Sequence, residues 1–220
     1  MFIGHFGAGL AAKRFTPYTS LGTLVVAVQL LDLIWPTLLM LGIERVRIDP
    51  GNTRVTPLAF EYYPWTHSLA MAAGWALLAA AGYAVLRRQS RGTWVISAAV
   101  LSHWVLDFMT HRADLPLWPP HGPVVGLGLW NSVAGTVAAE GVLFAAGVWL
   151  YATHTEPLNR LGRYGLVAFV VTLPLIYAAN LIAPPPPSVE ALAIVAQAQW
   201  LLVGWAILID RHRVAIRQWH

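Results

Sequence analysis

The chain has 220 residues and a formal charge of +4, with 57% hydrophobic and only 11% charged residues. A soluble domain is about a quarter charged, so this composition excludes a soluble enzyme, a disordered tail and a nucleic-acid module with a basic face. With no cysteine, disulfide frameworks, thiolate metal sites and cysteine nucleophiles are excluded as well. What remains is an all-α, polytopic membrane helix bundle.

In chain order, the first element is the apolar stretch at residues 1–15. It is too short to span a bilayer, and Lys13 and Arg14 follow it rather than precede it, the reverse of a signal peptide. Gly4, Ala8 and Ala12 recur every four residues and allow close packing against another helix. We read a half-length helix packed on the first span and joined to it through Pro17, with a helix lying on the membrane surface as the alternative.

Six later segments approach the ~20 apolar residues that a spanning helix needs. They run over about residues 20–43, 66–86, 93–110, 129–151, 164–182 and 189–209. Pro184 to Pro187 make a stiff corner before the last span. There is no internal repeat, and the whole chain reads as one integral-membrane domain. Six spans place ten Lys and Arg residues on one side, from Lys13 to Arg217, and four on the other: Arg45, Arg47, Arg54 and Arg112. Both termini are then expected in the cytoplasm, with the inner membrane as the site if the source is bacterial. The basic charge marks that face and requires no nucleic acid. Trp35, Trp65, Trp118 and Trp130 read as interface anchors, and Asp210 as a surface partner of Arg211 and Arg213. Asn180, Gln197 and Gln199 read as interhelical hydrogen-bond partners. His154, His212 and His220 lie at or beyond the cytoplasmic boundary and carry no expected role.

Ionisable groups within spans are costly and face the bundle interior. Asp32, His103, Asp107 and Glu140 are such groups, and His5 joins them if the short helix is buried. At about 1.5 Å of rise per residue, these five fall in one layer, roughly 12–21 Å above the cytoplasmic ends of their helices. His67 comes out higher, at about 30 Å. His103, Asp107 and His111 recur every four residues on one helical face. His103 and Asp107, about 6 Å apart along the axis, could grip one ion, whereas His111 is about 12 Å from His103 and is expected at the mouth of the site. A hydrogen-bonded pair that locks the bundle is the alternative for His103 and Asp107.

Imidazole and carboxylate ligands suit zinc, manganese or iron, and zinc is the leading expectation for a single divalent ion. Water activated by it would be the nucleophile, with Asp107 at the reaction centre and Glu140 as general base or further ligand. Otherwise Glu140 is a buried carboxyl bonded to Asn131, Ser132 or a backbone carbonyl.

Three strings carry a family resemblance: Thr66-His67-Ser68-Leu69, Ser102-His103-Trp104-Val105-Leu106-Asp107 and Leu115-Pro116-Leu117-Trp118-Pro119. With Gly4-His5 and Asp32, they resemble the YdjM-type family over roughly residues 1–120. That family is described as LexA-binding, inner-membrane-associated candidate metal-dependent hydrolases. The resemblance implies that His5, Asp32, His67, His103 and Asp107 form one metal site. Tyr62 stands where the family pattern has a first His, and Leu31-Asp32-Leu33-Ile34-Trp35 replaces a Pro-Asp-x-Asp-His motif. A two-metal family site would thus be reduced here to one ion at most. The expected activity is metal-dependent hydrolysis of an ester, amide or phosphoester in a lipid or lipid-linked substrate. A small permease or proton-coupled transporter using the same groups is the runner-up, and a non-catalytic scaffold the third reading.

Overall fold

The computed structural model describes residues 1–88 and 90–216; Arg217 and His220, which entered the expectations above, lie outside the described residues. Helix α1 covers Ile3–Ala12 and α2 covers Leu21–Met40. Strands β1 (Arg45–Ile48) and β2 (Leu58–Tyr62) pair antiparallel as a hairpin. A single turn, α3 (Pro64–His67), precedes α4 (Leu69–Arg87) and α5 (Ser90–Thr110). The short strands β3 (Leu115–Pro116) and β4 (Val124–Val125) lead to α6 (Val133–His154). Then come β5 (Thr155–Pro157), α7 (Arg160–Ile182), α8 (Val189–Ala196), α9 (Gln199–Arg211) and β6 (Arg213–Ala215).

Among the described residues, six segments are long and apolar enough to cross a membrane, the last being α8 and α9 together. The bundle is therefore the expected all-α membrane architecture, with small sheets only outside the spans. Polar caps set the helix starts. The side chains of Ser20, Ser68, Ser132, Asn159 and Ser188 each accept from a backbone N–H three residues on, satisfying a donor that the helix itself leaves open. Ser68 matters most for the site: its extended backbone separates α3 from α4, so His67 is not carried along the axis of α4. This removes the depth discrepancy expected for His67.

Helix α1 is inserted in the bundle, with eight of its ten residues buried, and does not lie on the membrane surface. It packs against α2, as expected, and still more extensively against α6. A Cβ on Gly7 would come within 2.6 Å of Leu143 O, and one on Gly147 within 2.1 Å of Gly7 O. Ala8 and Ala12 face the α2 side, with Leu24 and Val28 in the same apolar cluster.

One polar expectation is corrected at the end of the bundle where Lys13 lies. Asp210 pairs with Lys13, Nζ to Oδ1 2.7 Å, with both side chains largely buried; the two arginines beside Asp210 are not its partners. Arg213 instead donates to Thr155 O and Gly162 O, closing the end of the bundle where β5 pairs with β6. Of the expected interhelical amides, Gln197 donates to Thr37 Oγ1 and Gln199 accepts from Gln29, both on α2. Asn180 is exposed and lines a groove described below.

Candidate metal centre

The residues meet where α1, α2, α3 and α5 converge. His103 and Asp107 stand one turn apart on α5, both buried, with Nε2 3.1 Å from Oδ2. Helix α2 brings Asp32, whose Oδ1 is 3.7 Å from His103 Nε2. From α3, His67 Nε2 lies 3.3 Å from Asp32 Oδ1 and 3.8 Å from Asp107 Oδ2. From α1, His5 Nε2 lies 3.1 Å from Asp107 Oδ1, and its ring stacks on that of His103 with centroids 3.8 Å apart. The backbone nitrogen of Met1 also donates to Asp107 Oδ1. Two triplets, His5–His103–Asp107 and Asp32–His67–His103, each hold ligand atoms within 4.8 Å of one another. His103 belongs to both.

The hydrogen bonds behind the rings fix their tautomers. His103 Nδ1 is 2.7 Å from Val28 O, and a carbonyl can only accept, so Nδ1 carries the proton. Behind His67, Thr66 donates its hydroxyl proton to Glu44 Oε2 at 2.7 Å. The Thr66 oxygen, 2.7 Å from His67 Nδ1, must then accept from that ring nitrogen. Glu44 is itself held by the Trp65 and Thr66 amides, while its burial raises its pKa above the ordinary value. Both imidazoles consequently turn Nε2 toward the carboxylates of Asp32 and Asp107. An Nε2 in this position meets the carboxylates either as the donor of an imidazolium or through a cation shared with them. Groups that hold the far side of a ring in this way orient metal-binding imidazoles, and the donor set fits a divalent ion. The buried His103 Nε2 and His5 Nδ1 have no hydrogen-bond partner.

Glu140 stands apart from both triplets. Its Oε2 accepts from the Phe2 and Gly4 amides at 2.8 and 3.1 Å, at the positive end of α1. Its hydrogen bonds run to these two amides and not to Asn131, Ser132 or a backbone carbonyl.

Above the cluster lies a cavity of about 170 Å³ whose wall includes Asp32, His67, Asp107, Trp35, Phe60 and Trp130. Trp35 is buried, its ring centroid 6.4 Å from that of His67, and does not serve as an interface anchor. His111 also faces this cavity and is in neither triplet, as the helix rise implied. Its Nδ1 lies 3.0 Å from Asp114 Oδ1 and 3.2 Å from Tyr63 Oη. Burial lowers the His111 pKa and pushes the Tyr63 phenol well above its usual range, so both stay neutral.

Residues 64–187 match the family model for the YdjM inner membrane protein, more than half of the 220 residues. The chain belongs to the YdjM inner membrane protein family. No curated protein and no solved structure shows significant similarity to it.

The YdjM match takes in His67, His103 and Asp107 and extends through α6, the whole of α7 and the proline corner after it. The resemblance over residues 1–120 therefore reached too little of the C-terminal half, and Glu140 falls inside the family region. His5 and Asp32 precede the match, yet the fold delivers both to the YdjM histidines. Sequence reasoning missed Glu44 and Thr66, which orient His67. The available signal was the carboxylate next to the predicted end of the first span, overlooked because only groups inside spans were considered.

Proposed function

We propose that this protein is a membrane-embedded hydrolase that holds one divalent ion, zinc foremost, with ligands drawn from His5, Asp32, His67, His103 and Asp107. The observation that carries this reading is the pair of Nε2 atoms, on His67 and His103, aimed at Asp32 and Asp107 from rings whose Nδ1 protons are already engaged. Family membership supports the membrane setting. When bound, a divalent ion supplies the Lewis acidity that makes water nucleophilic at neutral pH.

The chain's own residues do the rest. Asp107 sits between His5 and His103 and fixes both rings at the reaction centre. Glu140, at the end of α1, uses one oxygen to hold that helix and keeps the other to take a proton from the attacking water. The tryptophans and Phe60 around the cavity limit access of bulk water. Net reaction is addition of water across an ester, amide or phosphoester bond, with the proton delivered to the leaving group. The arginine-rich ends of the spans lie in the cytoplasm on this reading, with Lys13 at that end of α1, whereas Met1, expected there as well, is carried by α1 into the bundle and onto Asp107.

Metal analysis of purified protein beside His103→Ala and Asp107→Ala, with hydrolysis of model esters and phosphoesters, tests the proposal. Bound divalent metal and metal-dependent turnover, both lost in the two variants, are expected. A wild-type protein that neither retains nor responds to any divalent metal overturns it.

A further inference from the structure

A second cavity, of about 340 Å³, adjoins the one above the cluster. Met1, Thr56, Leu58 and Trp130 line both, so the two lie side by side across these residues. The first has Asp32, His67 and Asp107 on its surface, whereas the second is walled chiefly by apolar side chains, among them Val55, Leu181, Pro184 and Leu192. Leu181 is at the end of α7 and Leu192 in the first turns of α8. The proline corner between them cannot extend either helix or donate a hydrogen bond, so it keeps the two helices apart and the groove between them formed. Residues bordering the groove, such as Ile182 and Ala183, are exposed on the outer surface of membrane-spanning helices. The groove therefore begins where bilayer chains run and ends at the titratable cluster.

We propose that this groove binds the hydrocarbon chain of an acyl amphiphile whose ester or phosphoester lies in the adjoining cavity. This rests on the hydrolytic reading above and adds the substrate class to it. A volume of about 340 Å³ is in the range of formed small-molecule sites. A cavity that carries His67, Asp32 and Asp107, beside a larger one walled chiefly by apolar groups with Glu140 among them, matches a molecule with a head and a single tail. The occupant enters sideways from the membrane, head foremost, with its tail left along α7, and so brings its scissile bond to the His and Asp side chains without crossing the aqueous phase.

The test has one arm that needs no catalysis. Protein in detergent micelles is photolabelled with a lysophosphatidylcholine carrying a diazirine at the end of its one acyl chain, and labelled peptides are mapped by mass spectrometry. Labelling at Leu181 and Leu192 is expected, falling at least about fivefold in Ala183→Trp and, independently, in Asn180→Trp, which fill the groove from exposed positions. Leu175, on the exposed face of α7, labels equally in all proteins, and Ala178→Trp, outside the groove, labels as wild type.

The second arm compares C12 and C4 p-nitrophenyl esters. The groove-filling variants should lose about tenfold in kcat/KM on the C12 ester and nothing on the C4 ester, since only the longer chain reaches the groove. Unchanged labelling of Leu192 in both variants, or equal loss on both esters, overturns the groove assignment. Labelling that behaves as expected while neither ester is cleaved retains the groove and sinks the hydrolytic reading alone.

Discussion

Thr66 Oγ1 accepts from His67 Nδ1 across 2.7 Å, one residue away in sequence, and relays that contact to Glu44. The hydroxyl holds the Nδ1 side of the ring and so turns His67 Nε2 toward Asp32. Thr66→Val keeps the shape but removes the acceptor, freeing the ring to change tautomer. Metal affinity should fall by about 10–100-fold, the range typical when a group that orients a ligating ring is lost. Thr66→Ser should restore it, since serine keeps the hydroxyl. Competition titration against a zinc chelator reads both values; a valine variant with wild-type affinity would remove Thr66 from the site.

Glu140 has two tasks that one substitution separates. Glu140→Gln keeps a carbonyl oxygen for the Phe2 and Gly4 amides, so α1 stays seated, but the amide cannot take a proton. Metal content and melting temperature should stay close to wild type while kcat drops by about 10²–10⁴, the usual contribution of a general base. Glu140→Ala should lose the same activity and in addition about 1–3 kcal/mol of stability, because two buried N–H groups then lack an acceptor. Full turnover in the glutamine variant would reduce Glu140 to a helix cap.

The contact between Gly7 and Gly147 sets how closely α1 approaches α6, and hence where His5 lies. A methyl on Gly7 meets the backbone of Leu143 and Phe144, which cannot rotate away. Gly7→Ala should cost about 1–3 kcal/mol through overpacking and should lower metal occupancy by displacing His5. Gly74→Ala, at a position open on all sides, is the control. Thermal unfolding and metal analysis on the same samples separate these outcomes, and a Gly7 variant matching the control would show that α1 can shift without consequence.

The spans were legible because length and apolarity decide them, and Ser20, Ser68 and Ser132 show where three of them start. The layer of His5, Asp32, His103 and Asp107 was legible for a related reason: a titratable group in an apolar helix has few places to go. What lay outside the spans was less so. The β1–β2 hairpin brings Leu58 and Phe60 to the cavity wall through strand pairing, which the membrane pattern does not encode. Glu44 and Thr66 are common residue types in a predicted loop, and their role exists only once α3 breaks from α4. The Lys13–Asp210 pair joins residues 197 apart in sequence, so local charge patterning pointed to Arg211 and Arg213 instead. Close approach at Gly7 rather than Gly4 depends on which face of α1 meets α6, and a spacing of four does not determine that.

Lys13 and Asp210 give the bundle a polar tie at the end opposite the cluster. The ammonium also donates to Thr19 O, and Tyr151 Oη donates to Asp210 Oδ1 at 3.4 Å, so each charge has more than one partner. Removing one member leaves the other buried and uncompensated. Lys13→Met or Asp210→Leu alone should therefore destabilise by about 3–5 kcal/mol. The double variant should recover most of that loss, because an apolar pair in the same volume carries no desolvation cost. A double-mutant cycle on thermal or denaturant unfolding in detergent measures the coupling, and metal content at the distant cluster should stay unchanged in the double variant. Additive losses would mean that the two side chains act independently, held by Thr19 and Tyr151 rather than by each other.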